Sequence, residues 1–206
     1  MAELAGPAAA RLILASSSPT RLNTLRAAGL VVRAEAPGVD EDEIRRSCRA
    51  EGGDAAAAAA MLAELKAVKI GRRHPDALVI GADQMLDCNG VWFEKPGDRD
   101  HARAHLMALR GRTHELISAV SVAENGQQIW HHIARARLTM RVFSDAFLDA
   151  YLDALGSDAL GTVGAYHIER LGIQLFSRID GDHSTILGLP LLPLLDFLRG
   201  HDAVLR

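Results

Sequence analysis

The order of apolar runs along this 206-residue chain dictates an α/β protein built on a mixed, partly antiparallel sheet. Two observations carry this. In the first half, strand-length apolar runs alternate with segments of helical spacing, an order that builds βαβ units. From Met85 onward strands cluster, and two Asn-Gly pairs, Asn89-Gly90 and Asn125-Gly126, mark hairpin turns.

Leu12, Ile13 and Leu14 form the apolar run of a buried strand. Ser18 followed by Pro19 opens a helix, the hydroxyl capping free amides and the proline losing no hydrogen bond at the first helical position. Leu22 and Leu25 recur at helical spacing and Gly29 supplies the stop. Val31 to Ala36 reads as a second strand ended by Pro37-Gly38, and Asp40-Glu41-Asp42-Glu43 as an acidic loop. Asp54 caps a long helix through the alanine run to about Arg72, with Lys66 and Lys69 near its end, where cations suit the dipole. Ala77 to Ala82 is a buried strand that ends by presenting Asp83. Met85 to Phe93 is a hairpin with Glu94-Lys95-Pro96 at its exit, and Asp98 starts a helix through Leu109. Thr113 to Ala123 and Gln127 to Val142 are long strands joined at Asn125-Gly126. Ser144 caps a helix containing Phe147, Leu148, Tyr151 and Leu152. Gly161 to Asp180 reads as short strands broken at Gly164 and Gly172, Gly181 to Gly188 as a polar loop, and Pro190 opens a last apolar helix to about Leu198. No internal repeat or long linker interrupts the chain. Residues 1–10 read as a flexible N-terminal extension and residues 11–206 as a single domain.

With 49% hydrophobic and 24% charged residues the composition is that of a soluble globular protein with a substantial core. A net charge of −3 speaks against nucleic acid or a membrane surface as partner. Cys48 and Cys88 have no metal-ligand spacing and read as reduced thiols, which places the chain in the cytoplasm. The first ten residues lack the marks of a secretory signal, and no apolar run approaches the ~20 residues of a membrane span.

Polar groups with chemical potential stand at element ends. The turn from Ser16 to Arg21 offers amides, hydroxyls and a guanidinium at a helix N-terminus, a ready phosphate site. Asp83-Gln84 and Glu94-Lys95-Pro96 follow strands; Glu41 and Lys66 add a carboxylate and an ammonium. Metal-assisted phosphate chemistry requires this set: carboxylates hold Mg²⁺, cations neutralise phosphate oxygens, and a metal or a carboxylate readies a water. Taken singly, each residue also has an ordinary role, Asp83 as a turn cap, Glu41 in a solvated acidic loop, Lys66, Lys69 and Lys95 on the surface. His131 and His132 are adjacent, so on a strand they point to opposite faces and cannot share a metal. A Walker A loop, a GxGxxG fingerprint and a nucleophile elbow are absent from the sequence.

From about Leu12 to Leu198 the chain resembles the Maf family of nucleoside triphosphate pyrophosphatases. The resemblance is carried by Leu12-Ile-Leu-Ala-Ser-Ser-Ser-Pro-Thr-Arg21, Gly38-Val-Asp-Glu41, Leu65-Lys66-Ala67, Gly81-Ala-Asp-Gln84 and Glu94-Lys-Pro96. Gly111-Arg-Thr-His114, Gly164-Ala-Tyr-His-Ile-Glu169 and the run from Gly181 to Pro190 continue it in order. It implies an elongated α/β fold around a central mixed sheet flanked by helices, with a cleft between two lobes. It implies hydrolysis of a nucleoside triphosphate to the monophosphate and pyrophosphate with Mg²⁺ or Mn²⁺, in a cytoplasmic house-cleaning enzyme that is often a homodimer. By position Asp83 matches the family's proton acceptor, and Ser16, Arg21, Glu41, Lys66 and Lys95 its polar cleft residues, Glu41 and Asp83 holding metal.

Thr20, Gln84 and Glu169 occupy positions that set the base. Gln84, Glu169 and the run Gly172-Ile-Gln-Leu-Phe-Ser-Arg-Ile-Asp-Gly181 are similar to the branch acting on 7-methyl-GTP, whereas Thr20 stands where that branch often has Trp. Other readings are a dTTP/UTP pyrophosphatase of the same family, a non-catalytic nucleotide-binding regulator of septum formation, and a nucleotidyltransferase.

Overall fold

The computed structural model describes Gly6 and residues 11–205. Nine of the ten residues read as a flexible extension therefore lie outside the described residues. The tenth, Gly6, is buried, and its N–H donates to the carbonyl of Ala203 at 3.2 Å.

The described chain forms strands β1 (Leu12–Ala15), β2 (Arg33–Ala34), β3 (Leu78–Cys88), β4 (Val91–Phe93), β5 (Thr113–Glu124), β6 (Gln127–Met140) and β7 (Phe176–Asp180). Helices are α1 (Pro19–Ala27), α2 (Glu41–Ala50), α3 (Ala55–Gly71), α4 (Arg99–Leu109), α5 (Asp145–Leu155), the short α6 (His183–Ile186) and α7 (Leu191–Gly200). The strands make a seven-stranded sheet of order β2-β1-β3-β5-β6-β7, with β4 pairing β3 off this path. β1 lies parallel to β2 and β3, while β3 with β4 and β6 with β7 are antiparallel, so the sheet is mixed, as the alternation followed by clustering of strands implies.

Local chemistry explains most boundaries. Ser18, Asp40, Asp54, Asp98 and Ser144 each accept a hydrogen bond from the backbone N–H three residues on, capping α1 to α5. Asn89-Gly90 and Asn125-Gly126 all have positive φ, the requirement of a type I′ hairpin turn.

Five expectations are corrected. The second strand is two residues long rather than six. The acidic stretch is the cap and first turn of α2, where Glu41, Asp42 and Glu43 complement the helix dipole. β3 runs past Asp83 to Cys88, so Asp83 lies within a strand instead of at its tip. The region from Gly161 to Asp180 holds 3₁₀ turns at Val163–Ala165 and Leu171–Leu175, with only Phe176–Asp180 in a strand, and the polar loop after it contains α6.

The chain divides into two compact units. Of the described residues, the first comprises Gly6 and residues 11–84, 118–134 and 183–205. Its core packs Leu12, Leu14, Leu25, Leu78, Ile80, Val120, Val122, Leu194 and Leu198, all buried. The second comprises residues 85–117 and 135–182 and buries Leu86, Leu106, Leu109, Leu138, Met140, Leu148 and Leu152. No helix among the described residues is long and apolar enough to cross a membrane.

Candidate active site

The first unit gathers Ser16, Arg21, Glu41, Lys66, Asp83 and Gln84, with Thr20 in the first turn of α1. Strand alternation explains how. Gly81 and Asp83 share one face of β3, and α3 lies against that face. A side chain at Gly81 would collide with the carbonyl of Ala63 and come 2.7 Å from the Ala67 nitrogen. The missing side chain thus lets α3 approach closely enough for Lys66 to reach Asp83.

Lys66 Nζ lies 2.7 Å from Asp83 Oδ1 and 2.6 Å from Glu41 Oε1. The side chains of Lys66 and Asp83 are each only 4% exposed, while that of Glu41 is 38% exposed. Arg45 Nη2 reaches the other Glu41 oxygen at 2.8 Å from the next turn of α2. Burial opposes ionisation of Glu41, but Lys66 and Arg45 outweigh it and hold the carboxyl below its ordinary pKa. Lys69, one turn beyond Lys66, donates to the carbonyl of Gly38 and ties the segment leading to Glu41 onto α3. Sequence reasoning assigned Lys69 only to the surface.

Arg21 leaves the first turn of α1 and donates from Nε to the Gly188 carbonyl at 2.9 Å and from Nη1 to the Ala82 carbonyl at 3.0 Å. Its guanidinium is thereby anchored at the residue preceding Asp83. Burial lowers its pKa, opposed by the attraction of Asp83 and Glu41. Ser16 Oγ accepts from the Ser18 amide at 3.1 Å and lies 3.4 Å from Arg21 Nη1. Gln84 points to the opposite face from Asp83, where its Nε2 meets Ser118 Oγ and the carbonyls of Thr185 and Ile186 at 3.0–3.1 Å.

The carboxylate pair fits a hard divalent ion in a limited way. Asp83 Oδ2 is buried and has no hydrogen-bond partner, an acceptor left open beside Glu41. Among the described residues no group of three or more His, Cys, Asp or Glu side chains has metal-site geometry. Two carboxylates with water and phosphate completing the shell is the usual way Mg²⁺ is held.

Lys95 and Glu169 belong to the second unit. Lys95 is exposed in the segment after β4. Glu169 lies 3.5 Å from His167 Nδ1, at the end of a segment fixed by buried contacts. His114 Nε2 and Tyr166 Oη are 2.8 Å apart, and the Tyr151 hydroxyl donates to the Ala165 carbonyl at 3.3 Å. His114 and Tyr166, which stand in two of the sequence motifs quoted above, thus meet as a buried pair. Cys48 and Cys88 are free and buried, and burial raises both thiols' pKa.

Sequence reasoning missed α2, Arg45 and Ser118. Asp40 followed three residues later by Glu43, with Ile44 and Cys48 one turn apart, was the available signal for α2. Nothing local distinguishes Ser118 from any serine in a strand.

The profile of the Maf family, described as Maf-like protein, matches residues 11–201. A protein of Paramagnetospirillum magneticum named nucleoside triphosphate pyrophosphatase is 54% identical over 187 residues, 91% of this chain and 96% of its own length. One of Rhodospirillum rubrum with the same name is 54% identical over 194 residues, 94% and 96%. A protein of Rhizobium meliloti named 7-methyl-GTP pyrophosphatase is 46% identical over 193 residues, 94% and 97%.

Proposed function

The chain belongs to the Maf family, and from that premise we propose that it is a nucleoside triphosphate pyrophosphatase, releasing a nucleoside monophosphate and pyrophosphate. The observation that carries this is the buried Asp83 carboxylate, gripped on one oxygen by Lys66 and open on the other, next to a residue whose carbonyl anchors Arg21. Relatives at about half identity over nearly the whole chain bear that activity in their names.

In this mechanism a water oxygen attacks the α-phosphorus, the bond from that phosphorus to the bridging oxygen breaks, and pyrophosphate leaves. Asp83 takes the water's proton, Oδ2 being the acceptor without a partner. Arg21, Lys66 and, by family resemblance, Lys95 neutralise the triphosphate, with Ser16 and the turn amides assisting. Glu41 and Asp83 would hold a divalent cation, Mg²⁺ or Mn²⁺, which would supply charge neutralisation and an oriented water.

Thr20, Gln84 and Glu169 select the base, with 7-methyl-GTP the favoured substrate. Carbonyl groups only accept, so the two around Gln84 fix Nε2 towards them and leave Oε1 to accept from a ligand donor. Glu169 accepts paired donors from a guanine edge and balances the positive charge of a methylated base. The similarity to the Rhizobium meliloti protein supports this choice. The enzyme acts in the cytoplasm on a free nucleotide, and a homodimer is the assembly the family resemblance suggests.

A screen of nucleoside triphosphates, methylated and pyrimidine ones included, with Mg²⁺ and Mn²⁺ tests this. Pyrophosphate release is expected to be fastest with 7-methyl-GTP, and Glu169→Gln to shift preference towards pyrimidines. No pyrophosphate from any substrate contradicts the activity; fastest release from dTTP or UTP contradicts the base assignment alone.

A further inference from the structure

We infer that Ser118 is a positioning residue for Arg21, acting through the turn that ends at Gly188. The inference rests on Arg21 gripping the triphosphate, as proposed above.

Ser118 is fully buried in β5, far in sequence from every residue discussed as catalytic. Its Oγ donates to the Thr185 carbonyl at 2.7 Å and accepts from Gln84 Nε2 at 3.0 Å. Gln84 Nε2 also meets the Thr185 and Ile186 carbonyls at 3.1 and 3.0 Å. The Gly188 amide closes the turn by donating to the same Thr185 carbonyl at 3.0 Å. Three donors therefore converge on one carbonyl oxygen, two from side chains on the neighbouring strands β3 and β5 and one from the turn itself. Removing Ser118 Oγ leaves this carbonyl bonded by Gln84 and Gly188, but the turn loses the donor that fixes its position on β5.

The other end of the turn meets Arg21. The Gly188 carbonyl accepts from Arg21 Nε at 2.9 Å. Gly188 has φ +89, and a Cβ there would stand 3.3 Å from both Nε and Nη2 of Arg21. The turn is thus shaped to lie flat against the guanidinium, and its carbonyl fixes one edge of the fork while the Ala82 carbonyl fixes Nη1. A fork held on two sides directs its remaining donors in one direction, the condition for oriented phosphate recognition. Ser118 sets where the turn sits, and the turn sets where Arg21 points.

The test is a double-mutant cycle in the full-length protein, reading the affinity for inorganic triphosphate by calorimetry with Mg²⁺ present. Ser118→Ala is expected to weaken binding about fivefold to thirtyfold. In the Arg21→Ala background it is expected to change affinity by less than about twofold, because the residue it positions is gone. A merely structural role moves both backgrounds equally, so equal losses overturn the inference, as does an unchanged affinity for Ser118→Ala alone. Absence of binding by the wild type overturns the phosphate grip and this inference together, whereas binding with additive losses overturns this inference only. Should Ser118→Ala not fold, Gln84→Met, which removes the other side-chain donor, carries the same cycle with the same two readings.

Discussion

Lys66 Nζ stands 2.7 Å from Asp83 Oδ1 with both side chains almost wholly buried, and it holds Glu41 from the same nitrogen. Removing the lysine strands a buried carboxylate, a loss of about 3–5 kcal/mol. Lys66→Met should therefore be strongly destabilised in urea titration, and adding Asp83→Asn should restore part of the loss. Strictly additive effects would show that the pair does not act as a unit.

Gly81→Ala tests the close approach of α3 to β3. The new Cβ would meet the Ala63 carbonyl and lie 2.9 Å from the Ala67 Cβ, backbone and short side chain that cannot swing away. Overpacking of this kind costs about 1–3 kcal/mol. Because Lys66 and Asp83 sit across that contact, pyrophosphate release should fall further than stability alone explains. Full activity in a variant that remains folded would separate helix approach from the site.

Buried His114 and ion-paired Glu41 are among the groups that give stability a pH dependence below neutrality. Burial lowers the His114 pKa from 6.5 to about 4. Between those values the unfolded chain binds a proton that the folded chain refuses, so stability falls as pH drops through this window, by about 3 kcal/mol in all. Glu41 has a lowered carboxyl pKa, so its ion pairs contribute above its ordinary value and are lost as pH falls through the folded one. Chemical denaturation between pH 7 and 4 should show the slope, and His114→Gln should flatten it above pH 5. An unchanged slope in that variant would remove His114 as its source.

The proposed metal dependence is tested at the carboxylate pair of Glu41 and Asp83. Chelation should abolish pyrophosphate release and Mg²⁺ restore it. Asp83→Asn should weaken Mn²⁺ binding measured by titration as well as turnover, since it replaces an oxygen ligand and proton acceptor at once. Undiminished Mn²⁺ affinity would leave Asp83 with the proton alone.

Much of this was written locally. The Ser18-Pro19 start, the Asp54 cap and both Asn-Gly turns act through neighbours in sequence, and each formed the expected element. Other features depend on partners far along the chain. β3 continues through Asp83, Gln84 and Asp87, whose polarity interrupts the apolar run; Lys66 and the carbonyls of Thr185 and Ile186 compensate the first two. Around Gly164 and Gly172 the chain takes 3₁₀ turns instead of strands, with Gly164 and Ala165 both at positive φ. Arg21 and Gly188 are 167 residues apart in sequence, so only the folded chain reveals that the turn and the guanidinium belong together.

Hydrolysis in ¹⁸O-labelled water addresses water attack at the α-phosphorus most directly. With the preferred triphosphate, the label should appear in the nucleoside monophosphate and not in pyrophosphate, and Asp83→Asn should suppress both products together. Label in pyrophosphate, or near-normal turnover by Asp83→Asn, would contradict the assignment of Asp83 as the group that readies water at that phosphorus.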